Sequence, residues 1–404
     1  MIFENRASIQ LGLRWFFLIT LMAFSPAFSS PKLTLLNDTS SWYHWGCSGT
    51  STALKERMQQ LGYEVNAVPI NTIYALKSVP SFEAFDDHES YTQFCEQNRE
   101  ILEKIQSADA VVITGEGTIH DLRTGPMHLL YLAHVAKKFF GKHVEIINHS
   151  AYPNDDPILS KEKKSEKERE RARHIYRTIY SEVDFIAIRE SQSRKEMEKI
   201  GIHSTLSFDC LPLYIKEHYF TPKVVKEKNV LVAGSAAFTN EGAEKICRYL
   251  EILHEKGYHI QVLVGAAAFP APDDKKFVAF LDENCQAPWE LIEATSLDEW
   301  LDTINQAAFL LSGRFHYSIA AFCLNTPFIA LNSNTYKVHA ICDLLGQKRP
   351  FLFSDPLLLE HLFERTDSLL TAPRGNNEAL FEEICRLAEK NFDGLRQLDV
   401  NIAK

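Results

Sequence analysis

At 404 residues the chain exceeds what one ordinary hydrophobic core holds, so two or three domains are expected. Hydrophobic residues make up 45% and charged residues 24%, a globular composition, and the formal net charge is -10. An acidic balance argues against general nucleic-acid binding and leaves room for a local basic pocket that takes a small anion.

The chain opens with Arg6 and Arg14 ahead of the apolar run Trp15 to Phe24, and small residues follow at Ala27 and Ser29. That order resembles a secretory signal cleaved near Ser29-Ser30. The run is short for a membrane span, which needs roughly 20 apolar residues. Three readings stand for residues 1–30: a cleaved signal peptide, an uncleaved anchor giving membrane contact, or a plain extension. The eight cysteines contain no Cys-x-x-Cys pair. Several sit in apolar runs such as Ala321-Phe322-Cys323-Leu324, so they read as buried free thiols. Cys47 stands apart, in a loop with polar neighbours. No metal-ligand spacing is apparent.

Lys32 to Asn37 reads as a first strand, followed by a polar and aromatic loop from Ser40 to Thr50. Ala53, Leu54, Met58 and Leu61 then recur at helical spacing, and Gly62 ends that helix. Glu64 to Val68 is the next strand, a β-loop-α-β start that predicts a parallel sheet. Gly46 and Gly49 allow close backbone approach of a ligand, or serve the turn alone. Ala110 to Thr114 is a strand running into a Gly115-Glu116-Gly117 turn. A helix over Met127 to Phe140 and a strand over Val144 to Asn148 follow. The mixed charges of Lys161 to Arg173 read as a solvated helix face. Asp184 to Ile188 is a strand delivering Arg189 at its end, as an anion ligand or as a structural partner of Glu190. Ser191 is placed to cap the helix Gln192 to Ile200. Ser207 to Leu211 reads as a short strand carrying Asp209.

A boundary falls between Pro212 and Lys228, which separates residues 31–215 from 228–375. Asn229 to Ser235 and Ile260 to Gly265 are strands of a second α/β set, with helices over Glu241 to Lys256, Asp273 to Leu281 and Leu297 to Asn305. Leu310 then begins an apolar strand that breaks at Ser312-Gly313, and Arg314 and His316 follow before a small-residue helix. A strand-to-helix junction is where open α/β sheets hold ligands. Arg314 can fork onto a carboxylate or phosphate, and His316 can exchange a proton near neutral pH. The plainer reading is an ion pair beside a capped helix. Pro327 to Leu331 is the last strand, with Asn334 and Lys337 beyond its carboxyl end. Residues 376–404 carry one amphipathic helix, Glu378 to Phe392, which packs back across the domains.

Six pieces together resemble the polysaccharide pyruvyl transferase family. They are His44-Trp45-Gly46-Cys47-Ser48-Gly49-Thr50-Ser51, Gly115-Glu116-Gly117-Thr118, Ile188-Arg189-Glu190-Ser191, Phe208-Asp209, Ser312-Gly313-Arg314-Phe315-His316, and the stretch Thr326 to Lys337. The match covers most of the chain, from Leu33 to Leu345, and its order and spacing are more specific than any piece. The resemblance implies an α/β chain of two Rossmann-like domains whose parallel sheets face a cleft, as in GT-B glycosyltransferases. Residues 31–215 would form the acceptor side and 228–375 the donor side. The implied reaction moves the enolpyruvyl unit of phosphoenolpyruvate onto two hydroxyls of a sugar or lipid-linked glycan, forming a cyclic ketal and releasing phosphate. No cofactor or metal is demanded.

The roles the resemblance implies are these. Arg314 binds the donor's anion and His316 donates the proton. Arg189 holds the second anionic group, and Lys337 is a third cation. Glu116 and Asp209 serve acceptor hydroxyls or act as base. Gly46, Ser48, Thr50 and Asn334 complete the substrate contacts. Two other functions use the same fold: a glycosyltransferase taking a nucleotide-sugar, and a paralogue that binds without turnover. Phosphoenolpyruvate is cytosolic, so the chemistry favours a cytoplasmic or inner-membrane location while the leader favours export.

Overall fold

The computed structural model describes residues 30–42, 44–151, 165–219, 228–265, 272–371 and 377–402. The leader read over residues 1–30 and the aromatic residue at position 43 lie outside them, apart from residue 30. Among the described residues no helix is long and apolar enough to cross a membrane.

The first domain alternates strands and helices: Lys32–Asp38 (β1), Trp45–Gln60 (α1), Glu64–Pro69 (β2), Ile70–Tyr74 (α2), His88–Gln97 (α3), Arg99–Ser107 (α4) and Ala110–Glu116 (β3). Thr124–His134 (α5), His143–His149 (β4), Glu166–Tyr180 (α6), Phe185–Ile188 (β5), Ser191–Lys199 (α7), Thr205–Leu206 (β6) and Leu211–His218 (α8) complete it. The strands form one parallel sheet ordered β2-β1-β3-β4-β5-β6. All seven residues of β3 are buried, which is why its run is apolar without alternation.

The second domain repeats the plan with Asn229–Ala233 (β7), Asn240–Glu255 (α9), His259–Val264 (β8), Pro272–Asn284 (α10), Trp289–Glu293 (β9) and Leu297–Gln306 (α11). Phe309–Ser312 (β10), Phe315–Cys323 (α12), Phe328–Ala330 (β11), Lys337–Leu344 (α13) and Leu358–Thr371 (α14) follow. Its sheet is parallel too, ordered β11-β10-β7-β8-β9. The order reverses between β1 and β3 in one sheet and between β7 and β10 in the other. Open parallel sheets leave a crevice at the carboxyl ends of the strands at such reversals. The expected pair of Rossmann-like domains facing a cleft is therefore the observed fold.

One apolar cluster crosses between the domains, joining Leu54 and Leu211 to Leu297, Trp300 and Phe315. A side chain at Gly49 would lie 2.8 Å from Leu211 Cδ1 and 3.2 Å from Leu297 Cδ2, so glycine lets α1 seat against both domains. The chain then returns to the first domain through Glu378–Glu389 (α15), a 3-10 turn over Lys390–Phe392, and Asp393–Ile402 (α16). Buried Asn391 ties this return down. Its Oδ1 accepts from Asn148 N at 2.8 Å and from Ser207 Oγ at 3.1 Å, and its Nδ2 donates to the carbonyls of Phe208 and Ala388, each at 2.8 Å.

Several local expectations are corrected. The loop read through Thr50 ends at His44, and α1 starts at Trp45. Cys47 is therefore buried in a helix, not an exposed loop thiol. The cap of α7 is Glu190, whose carboxylate accepts from Ser193 N at 2.8 Å, so Ser191 is the first helical residue. The strand read over Ser207 to Leu211 is not one: the two-residue strand Thr205–Leu206 ends before it, and Leu211 already opens a helix. The helix read from Met127 starts at Thr124 and ends in a π turn over Val135–Phe139. The helix read through Phe392 stops at Glu389. Edge strand β9 and helices α3 and α4 were not anticipated. The Trp-Glu-Leu-Ile-Glu sequence of β9 has neither an apolar run nor a clean alternation.

Replacing Asn391 by Ala leaves the Asn148 N–H and the Phe208 carbonyl buried without a partner. A cost of about 2 to 6 kcal/mol is expected at about 1 to 3 kcal/mol per orphaned group. Chemical denaturation of Asn391→Ala measures it, and a loss below about 0.5 kcal/mol, ordinary for a surface change, would contradict the role given to this side chain.

Candidate active site

The cleft between the sheets has a cavity volume of about 760 Å³. Its walls come from the carboxyl ends of β1, β3, β5, β10 and β11. The first domain contributes Gly46, Cys47, Glu116 and Arg189, and the second contributes Arg314, His316 and Lys337.

Asp209 is the hub behind this wall. It is fully buried. Its Oδ2 accepts from Arg189 Nη1 at 2.7 Å and faces His316 Nε2 at 3.3 Å. Its Oδ1 accepts from Thr50 Oγ1 and from Leu211 N, each at 2.9 Å. Burial alone would raise this carboxyl, but His316 and Arg189 outweigh it and hold Asp209 well below the usual carboxylate range. The group is an anion at neutral pH, shared between an arginine of its own domain and a histidine of the other.

Arg189 is 2% exposed. Besides Asp209, its Nε donates to Ser150 Oγ at 2.7 Å, and its guanidinium carbon lies 4.3 Å from the centre of the Phe315 ring. The expected alternative partner, Glu190, instead caps α7; burial raises that carboxyl to about 7. His316 sits in the first turn of α12 and its Nδ1 lies 3.8 Å from Cys47 Sγ. Burial and neighbouring Glu116 push the Cys47 thiol well up, so it stays protonated. A side chain at Gly46 would lie 2.1 Å from His316 Cβ. Only glycine allows α1 to close on the histidine.

Glu116 leaves β3 with φ 39, in the left-handed region that a bulky residue enters only at a cost. The bend turns its carboxylate toward β1, where Oε1 accepts from Thr39 Oγ1 at 2.7 Å. Arg314 precedes α12 and donates from Nη2 to Asp274 at the start of α10. Its buried Nε has no protein partner. Lys337 opens α13. A side chain at Gly117 would lie 3.7 Å from both Arg189 Nη2 and Lys337 Nζ, so these two cations converge over that glycine. Burial first, then Arg189 and Arg314, lower Lys337 to about 8. Burial first, then Arg314, His316 and Lys337, keep the His44 imidazole well below its usual value and hence neutral.

The structure thus brings together Gly46, Glu116, Arg189, Arg314, His316 and Lys337 as cleft lining, with Asp209 directly behind. Three other expected contacts lie differently. Ser48 Oγ donates to the Ser40 carbonyl at 2.8 Å, Thr50 supports Asp209, and Asn334 is exposed while its neighbour Ser333 lines the cleft. Of the aromatic residues around the start of α1, Trp42 lines the cleft, and Trp45 donates from Nε1 to the Ala294 carbonyl at 2.9 Å. Asp274, His44 and Tyr74 were not singled out from sequence. Asp274 is one of two aspartates opening an ordinary helix and gives no local signal. Tyr74 follows β2, and an aromatic residue shortly after a parallel strand was the available clue. Away from the cleft, Glu56, Glu217 and His218 bring ligand atoms within 4.8 Å of one another, and they already form ion pairs with each other and with Arg57.

The sequence profile of the polysaccharide pyruvyl transferase family matches residues 50–335, more than half of the chain. No curated protein matches the sequence. Among solved structures, the UDP-GlcNAc 2-epimerase of Methanocaldococcus jannaschii is similar at 17% identity and a TM-score of 0.51, covering 89% of this chain and 99% of that one. The UDP-GlcNAc 2-epimerase of Neisseria meningitidis is similar at 13% identity and 0.55, covering 91% and 100%. The sucrose-phosphate synthase of Thermosynechococcus elongatus is similar at 11% identity and 0.58, covering 92% and 99%. At these identities the likeness establishes a GT-B fold.

Asp209→Ala takes away the buried carboxylate that faces the buried Arg189 guanidinium, and a loss of about 3 to 5 kcal/mol is expected. A folded carboxyl held below its unfolded pKa of about 3.9 stabilises fully above that pH and less as pH falls below it. Denaturation of Asp209→Ala at neutral pH checks the size, and a loss under about 1 kcal/mol would be at odds with a buried pair. A second prediction concerns Lys337, charged below about 8 and neutral above. Inorganic phosphate should bind with falling affinity as pH rises through that value, whereas Lys337→Arg should flatten the curve. Calorimetry from pH 7 to 10 measures both proteins, and parallel curves would remove Lys337 from anion binding.

Proposed function

The chain belongs to the polysaccharide pyruvyl transferase family, a family of transferases acting on polysaccharides, and from this premise we propose that it moves the enolpyruvyl unit of phosphoenolpyruvate onto two hydroxyls of a sugar, forming a ketal. What supports the reading is one arrangement: three cations from three strand ends, Arg189, Arg314 and Lys337, beside one imidazole backed by a buried carboxylate.

The donor carries a carboxylate and a phosphate, and two forked arginines with a lysine match those two anions. His316 gives a proton to the methylene carbon, which becomes the methyl group. The adjacent carbon then accepts the electrons of a first sugar hydroxyl. Asp209 fixes the ring through Nε2, leaving Nδ1 beside only a weak thiol partner. Glu116 takes the hydroxyl proton. The phosphate oxygen leaves with its bonding electrons, and a second hydroxyl closes the ketal and gives up its own proton. Of the two hydroxyl protons, one balances the new C–H bond and the other leaves with phosphate. The cationic cleft of a GT-B protein suits a nucleotide diphosphate as well, so a nucleotide-sugar donor is the competing reading.

The test is phosphate release from phosphoenolpyruvate across a panel of lipid-linked, nucleotide-linked and free sugars. Release should require both an acceptor and Arg314. His316→Ala should lower turnover by roughly 10² to 10⁴ while phosphoenolpyruvate still protects the protein against heating. Near-normal turnover in that variant would remove His316 from proton transfer. Consumption of a nucleotide-sugar with no phosphate release from phosphoenolpyruvate would favour the competing reading.

A further inference from the structure

Lys337 is held differently from the two arginines it accompanies. Arg189 is fastened to Asp209 and Ser150, and Arg314 to Asp274. The Lys337 amine has no hydrogen bond or ion pair with another of the described residues. It stands at the wall of the cleft. A side chain at Gly117, itself part of the cleft lining, would lie 3.7 Å from both Lys337 Nζ and Arg189 Nη2. Glycine there leaves the space between the two cations unfilled.

The charged and titratable groups facing the amine come from four other elements. They are Arg189 at the end of β5, Arg314 before α12, Glu116 at the end of β3, and Cys47 on α1 with the neutral His44 just before it. Burial and the two guanidiniums oppose a further positive charge, and together they outweigh Glu116. Lys337 also opens α13, and the N-terminal end of a helix disfavours a cation. At pH 8 about half of an amine so placed is neutral, against roughly one part in 250 for an ordinary lysine. A desolvated lysine crowded by other cations is a nucleophile toward carbonyl carbon.

What it attacks follows from its neighbours. A carboxylate held by the arginines brings the next carbon of the same molecule to Lys337. In a 2-oxo acid that carbon is a ketone. We propose that Lys337 forms an imine with a small 2-oxo acid such as pyruvate, whose carboxylate is held by Arg189 and Arg314. The amine nitrogen bonds to the carbonyl carbon, and the carbonyl oxygen leaves as water with the amine's two protons. A C=N bond to the lysine remains. Glu116 and His316 line the same cleft and carry protons between these groups. The adduct needs the cationic pocket and not the ketal chemistry. While it lasts it closes that pocket to a phosphorylated donor, so the 2-oxo acid is a reversible covalent inhibitor.

The test incubates full-length protein with carbon-13 pyruvate at about pH 8 and traps the imine with sodium cyanoborohydride. Peptide mapping by mass spectrometry then locates the lysines that carry the label. Lys337 should be labelled about tenfold or more above any exposed lysine. Acetone, which has the ketone and lacks the carboxylate, should label it about tenfold less than pyruvate does. Lys337→Arg keeps the charge and should lose the adduct with its thermal unfolding midpoint retained. The map of the unaltered protein locates the adduct even where that variant does not fold. No label on Lys337, label spread evenly over exposed lysines, or equal labelling by acetone would overturn the proposal. The outcomes also separate two claims. An adduct with no phosphate release from phosphoenolpyruvate leaves the imine standing and sinks pyruvyl transfer. Acceptor-dependent phosphate release with no adduct does the reverse.

Discussion

The site depends on one buried carboxylate held by an arginine and a histidine from different domains. Asp209 is anchored by Arg189 and Thr50 within the first domain and faces His316 of the second. An isolated buried charge is costly, so each partner stabilises the others' burial. The imidazole is held in place across the closed interface between the domains. Gly46 and Gly49 permit that closure by letting α1 approach His316 and Leu297 without side chains in the way. The returning segment α15–α16, fastened through Asn391 to β4 and to the Phe208 carbonyl just before Asp209, holds the same region from behind. Stability and site geometry therefore share residues.

Topology explains why the charged groups meet. Each sheet reverses its strand order once, and the two crevices at those reversals face each other. Glu116 leaves the sheet at one reversal, and Arg314 leaves at the other. Three non-glycine residues adopt left-handed backbone as they leave β1, β3 and β4: Asn37, Glu116 and Asn148. Asparagine tolerates this conformation and glutamate does not readily, so the strain at Glu116 is concentrated where the chain turns a carboxylate into the cleft.

Much of this was legible in the sequence because the residues concerned sit at strand ends. The apolar runs before Glu116, Arg189 and Arg314 mark those ends, and parallel sheets place ligands there. What the sequence did not disclose is long-range. Asp209 read as a group for acceptor hydroxyls, and its pairing with Arg189 and His316 has no local signature. The Asp274 contact to Arg314 joins helices separated by two strands. Trp45 to Thr50 read as part of a loop, because a glycine- and serine-rich start obscures a helix whose first turns are buried. Tyr74 required knowing that Gly125 would lie beneath it.

The most direct test of the central claim follows the donor's carbon. The protein is incubated with phosphoenolpyruvate labelled with carbon-13 at its central carbon and with a pool of oligosaccharides, and the glycan fraction is examined by NMR. The account predicts that the label appears in a glycan-bound quaternary carbon carrying a methyl and a carboxylate group, with phosphate released in equal amount and both lost in Arg314→Ala. Label that stays in phosphoenolpyruvate or appears only as free pyruvate, while a supplied nucleotide-sugar is consumed, would contradict it.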